Sequence, residues 1–307
     1  MSILVFGHKN PDTDSITAAI SFSYLKNQLG FDTEPAALGE PSKETQYILD
    51  YFKVEKPQII KNVSGKKVML VDHNEYGQSA EGLEEAELLE IIDHHKIGDI
   101  TTSVPINFRN MTVGSSCTVV FTMFKENGIE IPYNIAGLLI SGIISDTLLF
   151  RSPTTTDIDR NAVEELNKIL KLDLEEYAMN VFKSGTSLEG YTIEEIFYRD
   201  FKEFKLNDDR IGIGQVFTLD IEKVFERKQE FIDFMKKSSK DNGYYITLLA
   251  ITDILKEGSY ILFECDNPKI ISSAFNVQAE QGVFVEGLVS RKKQIVPNIT
   301  DAINLCK

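Results

Sequence analysis

Three short apolar runs in the first third of the chain each lead into a polar residue that can bind a metal ion. The runs and the residues that follow them are 3–6 with His8, 68–71 with Asp72, and 88–92 with Asp93. Each run has the length and the β-branched content of a strand. Residues 15–29 carry apolar side chains at helical spacing and stop at Gly30. Strands that alternate with helices predict an α/β domain with a parallel sheet flanked by helices.

The position of the polar residues predicts a shared site. In open parallel sheets, binding sites lie in the crevice outside the carboxyl ends of the strands. We therefore expect His8, Asp72 and the segment Asp93-His94-His95 to meet at one edge of the sheet.

A chain of 307 residues is long enough for two domains. Residues 185–190 are small, polar or glycine for the most part, and we predict a hinge linker there. The N-terminal, metal-binding domain would then span 1–184 and a smaller, mixed α/β domain 191–307. Further helices are predicted at 116–126, 134–150, 157–170, 174–182 and 221–235, and further strands at 211–218, 244–252, 260–264 and 284–289.

Composition excludes several classes of function. The net charge is -15, and only short basic clusters occur, so we predict no nucleic-acid partner; a small anion needs only one positive pocket. No apolar run reaches the roughly 20 residues of a membrane helix, and the N-terminus is interpreted as a strand and not as a signal peptide. Three scattered cysteines form neither a disulfide framework nor a zinc spacing. These features together favour the cytoplasm.

The segment His8-Lys9-Asn10-Pro11-Asp12-Thr13-Asp14 places an imidazole and two carboxylates within seven residues. Pro11 fixes its own φ and disfavours helix at Asn10, so a turn is expected between strand and helix. Such a turn can direct all three side chains towards a divalent metal ion. Alternatively, Asp12 or Asp14 only caps the following helix.

Asp72 and Asp93-His94-His95 follow the second and third runs. Asp72 is a candidate to bridge two ions, or else it forms a turn with its own backbone. One imidazole of the histidine pair could bind metal while the other faces the substrate as a proton donor, with Asp93 orienting an imidazole. The alternative is an exposed histidine pair in a turn.

Asp146 is a lone charge in the apolar stretch 138–149. A carboxylate in such surroundings is costly unless it is paired or bound to metal. The competing hypothesis is a structural salt bridge with Arg151.

Together these side chains predict two cations. His8, Asp12 and Asp72 could hold one ion, and a second set could hold the other: Asp14, Asp72, His94 and Asp146. Two ions about 4 Å apart can activate a bridging water as hydroxide and clamp a phosphoryl group. Imidazole among oxygen ligands favours Mn²⁺, or Co²⁺, over Mg²⁺.

The C-terminal half contributes the basic segment Ser290-Arg291-Lys292-Lys293-Gln294. It follows an apolar strand, so its first residues are expected to end that strand at a crevice. Arg291 offers a bidentate fork for phosphate oxygens and Lys292 a point charge. A solvated basic turn is the alternative. Lys202 is a further candidate, although by itself it is indistinguishable from a surface lysine.

These motifs together resemble the DHH phosphoesterase superfamily, whose name-giving motif is Asp93-His94-His95 here. The closer resemblance is to the family II, manganese-dependent inorganic pyrophosphatases. It rests on the motifs at 7–15, 71–75, 93–95, 145–147 and 290–294, in order along nearly the whole chain. The spacing from Asp72 to Asp93 leaves no room for the regulatory nucleotide-binding insert of some members.

The resemblance implies the two metal sets named above and two Mn²⁺ ions per subunit. It also implies that His95, Lys202, Arg291 and Lys292 contact phosphate, with His95 the acid for the leaving phosphate. A homodimer through the N-terminal domain is expected, with a C-terminal, DHHA2-like domain that closes over the substrate.

The predicted reaction is hydrolysis of inorganic diphosphate to two orthophosphates, with additional Mg²⁺ arriving with the substrate. One alternative is a related enzyme that acts on oligonucleotides, cyclic dinucleotides or polyphosphate. Such an enzyme would need aromatic side chains for base stacking, or a basic groove, to bind its longer substrate. A second alternative is a metal-binding regulatory protein without turnover, although its ligand set would be expected to show gaps.

Overall fold

A computed structural model of the chain describes residues 2–206, 209–253 and 256–306. The chain divides into two compact units, Met1–Gly185 and Thr186–Lys307. No helix among the described residues is long and apolar enough to cross a membrane.

The described residues of the first unit form a six-stranded, entirely parallel sheet in the order β3-β2-β1-β4-β5-β6. Its strands are β1 (Ile3–Phe6), β2 (Thr33–Ala37), β3 (Gln58–Ile59), β4 (Lys67–Val71), β5 (Glu87–Asp93) and β6 (Asn107–Asn110). Its helices are α1 (Thr13–Gln28), α2 (Lys43–Tyr51), α3 (Ser116–Asn127), α4 (Tyr133–Thr147), α5 (Asp157–Leu170) and α6 (Leu174–Gly185). The predicted parallel sheet flanked by helices is therefore confirmed.

Side chains alternate across the central strands, so both faces of the sheet are buried. Val5 and Met69 pack with the helices in one core, whereas Leu4, Phe6 and Leu70 pack in a second core with the segments between β3 and β5. Burial on both faces explains why these strands appear in the sequence as continuous apolar runs.

The described residues of the second unit form a five-stranded mixed sheet in the order β11-β10-β9-β8-β7. Its strands are β7 (Phe201–Leu206), β8 (Asp209–Phe217), β9 (Ile246–Asp253), β10 (Gly258–Cys265) and β11 (Val283–Glu286). Its helices are α7 (Ile193–Tyr198), α8 (Ile221–Glu226), α9 (Lys228–Asn242), α10 (Lys269–Phe275) and α11 (Val296–Cys306). β8 and β9 are parallel and the other pairs are antiparallel.

Several predicted boundaries were wrong. The helix predicted at 134–150 ends at Thr147, because Leu148, Leu149 and Phe150 all have left-handed φ. The helix predicted at 221–235 is broken at Arg227 into α8 and α9. The strand predicted at 284–289 ends at Glu286, before the basic segment.

Candidate metal centre

The carboxyl ends of β1, β4 and β5 lie side by side, because these strands are neighbours in the parallel sheet. His8 follows β1, Asp72 follows β4 directly, and Asp93 is the last residue of β5. The N-terminus of α1 and the C-terminal turn of α4 bring the remaining aspartates to the same edge. The structure therefore brings every metal-ligand candidate of the sequence together in the first unit.

His8, Asp12 and Asp72 form the first ligand set. The Nε2 atom of His8 lies 3.4 Å from a carboxylate oxygen of Asp12 and 3.4 Å from Oδ2 of Asp72. Its Nδ1 atom bonds the Lys9 carbonyl at 2.8 Å, which leaves Nε2 facing the carboxylates. Asp12 also caps α1, since its Oδ1 accepts a hydrogen bond from the Ser15 amide. The oxygen of Asp12 that caps the helix thus differs from the oxygen that faces His8.

A second set surrounds Nε2 of His94. This atom lies 3.4 Å from Oδ1 of Asp72, 3.5 Å from Asp146 and 4.0 Å from Asp14. Its Nδ1 atom bonds the Val113 carbonyl at 3.1 Å, so that, as in His8, a backbone carbonyl holds Nδ1 and Nε2 faces the carboxylates. Asp72 therefore presents one oxygen to each set, which is the geometry of a bridging carboxylate.

The donor atoms fit divalent cations. In each of the two sets, the candidate donor atoms lie within 4.8 Å of one another. Asp72 Oδ2 and His94 Nε2 are buried and make no hydrogen bond. Polar atoms that are buried without a partner are rare in folded proteins, and here they face the centre of the ligand sets. Carboxylates mixed with imidazoles suit Mn²⁺.

The electrostatics of the centre also favour cations. Burial and the charge of Asp72 raise the pKa of Asp14 to about 6. Burial and three neighbouring aspartates hold the pKa of Asp146 well above its usual range. Burial opposes ionisation of Asp72, but the neighbouring imidazoles of His8 and His94 lower its pKa. Bound cations would relieve this crowding of carboxylates.

Asp14 is held by the first turn of α3. Its carboxylate accepts hydrogen bonds from the Ser115 hydroxyl at 2.6 Å and the amides of Ser116 and Cys117 at 2.6 and 3.0 Å. The Ser116 hydroxyl donates to Asp72 Oδ1 at 2.9 Å. The sequence reasoning singled out neither serine for a role, because a serine before a helix is also an ordinary cap.

His95 is oriented by Asp93. Its Nδ1 atom lies 2.9 Å from Oδ1 of Asp93, and its side chain remains 51% exposed. The fully buried Asp93 also accepts from the amides of His94 and His95 and from the Asn74 side chain. Hydrogen bonding to Asp93 raises the pKa of His95, although burial opposes it.

A cavity of about 180 Å³ opens beside the metal centre. His8, Asp72 and His95 line it, together with Asn74, Gln78 and Lys96, which sequence reasoning did not identify. The competing hypothesis for Asp146 is not supported, because within the described residues it forms no ion pair with Arg151.

Three further candidates belong to the second unit. Arg291 is nearly buried, with its side chain 10% exposed, and its guanidinium pairs with Asp200 at 2.7 Å. It also donates to the carbonyls of Asp200 and Ile213. Lys202 on β7 pairs in register with Ile213, and both Lys202 and Lys292 are exposed.

The prediction that the basic segment ends a strand was wrong. The segment instead starts a helical turn over Arg291–Ile295. The Ser290 hydroxyl accepts from the Lys293 amide at its start. The buried guanidinium of Arg291 distinguishes this segment from a simple solvated turn.

Comparisons with known proteins cover nearly the whole chain. Residues 2–143 match the model of the DHH family, N-terminal domain, and residues 179–302 match the DHHA2 domain. A probable manganese-dependent inorganic pyrophosphatase of Clostridium acetobutylicum is 51% identical over 98% of both chains. The manganese-dependent inorganic pyrophosphatase of Bacillus subtilis is 45% identical, again over 98% of both.

A solved structure is also similar. The putative family II inorganic pyrophosphatase of Methanococcus jannaschii matches with a TM-score of 0.62 at 40% identity, over 99% of this chain and 100% of that one.

Proposed function

The chain belongs to the manganese-dependent, family II inorganic pyrophosphatases, and we propose on this basis that it hydrolyses diphosphate to two orthophosphates. The observation that carries the proposal is Asp72, whose two oxygens face two separate ligand sets. A pair of ions bridged in this way is the arrangement used for in-line displacement at phosphorus.

Each ion has its own ligands. His8, Asp12 and Asp72 would hold one Mn²⁺, or Co²⁺, and the second would be held by Asp14, Asp72, His94 and Asp146. When bound, the two ions would supply Lewis-acid activation of the attacking water and of the phosphoryl oxygens, with Mg²⁺ arriving on the substrate.

His95 would transfer the proton to the leaving phosphate. Its ring lies at the cavity beside the centre, half exposed and therefore accessible to substrate. The bond from Nδ1 to Asp93 fixes the ring and leaves Nε2 as the donor, and a raised pKa keeps this proton available.

Arg291, Lys292 and Lys202 would hold the phosphates and stabilise the charge that develops on them. Two features support this role. The guanidinium of Arg291 is fixed by Asp200. Lys202 pairs across the sheet with Ile213, whose carbonyl accepts a hydrogen bond from Arg291. A pre-oriented fork of this kind loses little entropy on binding phosphate.

We further propose a cytoplasmic homodimer formed through the first unit, in which the 185–190 segment acts as a hinge and the second unit closes over the substrate. β6 is the outer strand of its sheet and carries an exposed Phe108, so this edge can accept another chain. The three cysteines are free, in keeping with a reducing compartment.

The proposal is tested by phosphate release from diphosphate, polyphosphate and a short oligonucleotide, each with Mn²⁺ and after chelation. We expect Mn²⁺-dependent turnover of diphosphate. Cleavage of the oligonucleotide with diphosphate inert would favour a nuclease of the same superfamily. Absence of any turnover by Mn²⁺-loaded protein would favour the regulatory alternative.

A further inference from the structure

Asp159, in the first turn of α5, is a fully buried carboxylate outside the metal ligand sets. Within the described residues it forms no ion pair, yet it accepts five hydrogen bonds. The donors are the Gly114 amide to both oxygens at 3.0 and 2.9 Å, the Thr118 hydroxyl at 2.6 Å, and the amide and hydroxyl of Thr156 at 2.7 and 2.8 Å. A buried carboxylate whose partners are all hydrogen-bond donors is costly to disturb, because each lost bond leaves a buried polar group unpaired.

The donors connect α5 to the segment that holds Asp14. Gly114 immediately precedes Ser115 and Ser116, which bind the carboxylate of Asp14, and Ser116 also binds Asp72. Thr118 lies in the same first turn of α3. Asp159 therefore bonds the start of α3 on both sides of Ser115 and Ser116, the residues that orient two candidate metal ligands.

The fit around Gly114 is tight. A Cβ atom at this position would lie 2.6 Å from Thr147 Cγ2 and 3.1 Å from Asp159 Oδ2. Thr147 directly follows Asp146 in α4. The turn before α3 thus packs between the carboxylate of Asp159 and the C-terminal end of α4, the helix that carries the candidate ligand Asp146.

We propose that Asp159 is a positioning residue for the metal centre, which acts through Gly114 and Thr118 on the orientation of Asp14 and Asp72. The proposal rests on the proposed function only in taking these two aspartates as metal ligands. Among the described residues, the donors to Asp159 are Gly114, Thr118 and Thr156, none of which is a candidate ligand or lines the cavity. Residues that hydrogen-bond metal ligands typically change metal affinity by about 10- to 100-fold when altered, and Asp159 lies one step further out, so we expect an effect no larger than the lower end of this range.

The test is Mn²⁺ affinity of the full chain, measured by titration calorimetry without diphosphate. In Asp159→Asn, an amide group would face backbone and hydroxyl donors, and we expect the Mn²⁺ dissociation constant of the set that contains Asp14 to rise about tenfold. Thr118→Val removes one hydrogen bond with little change of shape, and a rise of about threefold is expected.

Glu90→Gln is the matched control. Glu90 is also a buried carboxylate of the first unit, but within the described residues its ion pair is with Lys26, which is not among the donors to Asp159, Asp14 or Asp72. It should lower the melting temperature and leave Mn²⁺ affinity unchanged.

The proposal is overturned if Asp159→Asn and Thr118→Val lose thermal stability as the control does but bind Mn²⁺ like the wild type. If Asp159→Asn does not fold, Thr118→Val decides alone. Wild-type protein that binds Mn²⁺ but leaves diphosphate intact would sink the proposed function and not this proposal.

Discussion

Asp72 has a left-handed backbone conformation, with φ of 62°, at the residue after β4. Asp and Asn tolerate this region better than most residues because their short polar side chains can bond locally. The Asp72 amide also bonds the Ile92 carbonyl on β5 at 2.8 Å. A backbone fixed in this way keeps both carboxylate oxygens directed at the metal ligand sets.

Asp72→Asn should therefore lower metal content at both sites without added backbone strain, whereas Ala would add about 1 kcal/mol of strain. We expect Mn²⁺ per chain after equilibrium dialysis to fall from about two to well under one. Asp12→Asn, which affects one set only, should retain about one ion. Equal retention in the two variants would contradict the bridging role of Asp72.

Proton release provides a second test at the level of residues. Burial lowers the pKa of both histidines, but neighbouring carboxylates more than offset this. They raise the pKa of His8 to about 11 and that of His94 to about 9. These shifts favour the protonated imidazoles in the absence of metal, so we expect Mn²⁺ to displace protons when it binds.

Mn²⁺ affinity should accordingly increase with pH, by about one decade per pH unit for each proton displaced, until the pH passes the folded-state pKa of the group. Titration calorimetry in buffers of different ionisation enthalpy measures the number of protons released. Affinity that is independent of pH between about 6 and 8 would contradict the assignment of the two histidines.

The site residues differ in how well the sequence predicts them. His8, Asp72 and Asp93 could be placed together because each follows an apolar run, and parallel strands end at the same edge. Ser116 and Asp159 could not, because their position depends on how α3 and α5 pack. In the sequence they resemble ordinary residues at the starts of helices.

At the level of elements, α4 packs closely against α1 and α3 at Gly142. A Cβ atom there would lie 2.5 Å from Cys117 Sγ and 2.9 Å from Asp14 Oδ1. Gly137, on the same helix, would instead meet the ring of Phe52. The two glycines therefore allow a comparison of similar steric clashes with and without contact to a candidate metal ligand.

Gly142→Ala and Gly137→Ala should each cost about 1–3 kcal/mol of unfolding free energy through overpacking. We expect only Gly142→Ala to weaken Mn²⁺ binding, since only its methyl group displaces Asp14. Denaturant titrations report stability and calorimetry reports Mn²⁺ affinity. Similar Mn²⁺ affinity in the two variants would show that α4 packing does not control Asp14.

The turn that begins at Arg291 depends on the residue before β7. In Asp200→Asn the guanidinium loses its charged partner, so we expect KM for diphosphate to rise about three- to tenfold with Mn²⁺ affinity unchanged. Glu203→Gln on the same strand, which breaks the exposed pair with Arg210, is the control and should leave KM unaltered. An unchanged KM in Asp200→Asn would exclude this role of the ion pair.

Elements were predictable where local pattern and tertiary role agree. The helix at 157–170 matches α5, which has a capping box and an amphipathic face. β2 was not predicted, because Pro35 and two alanines carry little strand propensity and its pairing with β1 decides its structure. β6 was not predicted, because it is a short, polar edge strand.

At the scale of the whole molecule, the metal ligand candidates all lie in the first unit and the basic candidates for phosphate in the second. Each unit has cores of its own. Removal of metal should therefore destabilise the first unit more than the second. Four aspartates converge in the first unit, and without metal their mutual repulsion is offset by protons and two histidines.

Hydrogen exchange of the full chain with saturating Mn²⁺ and after chelation tests this expectation. Bound Mn²⁺ at 100 times its dissociation constant stabilises the bound state by about 2.7 kcal/mol per site. We expect slower exchange with Mn²⁺ in α1 and α3, whose first turns hold Asp14, and little change in β9. Asp72→Asn should lose this difference, since it lacks the shared ligand. Equal protection of both units would instead mean that metal binding stabilises the chain as one cooperative body.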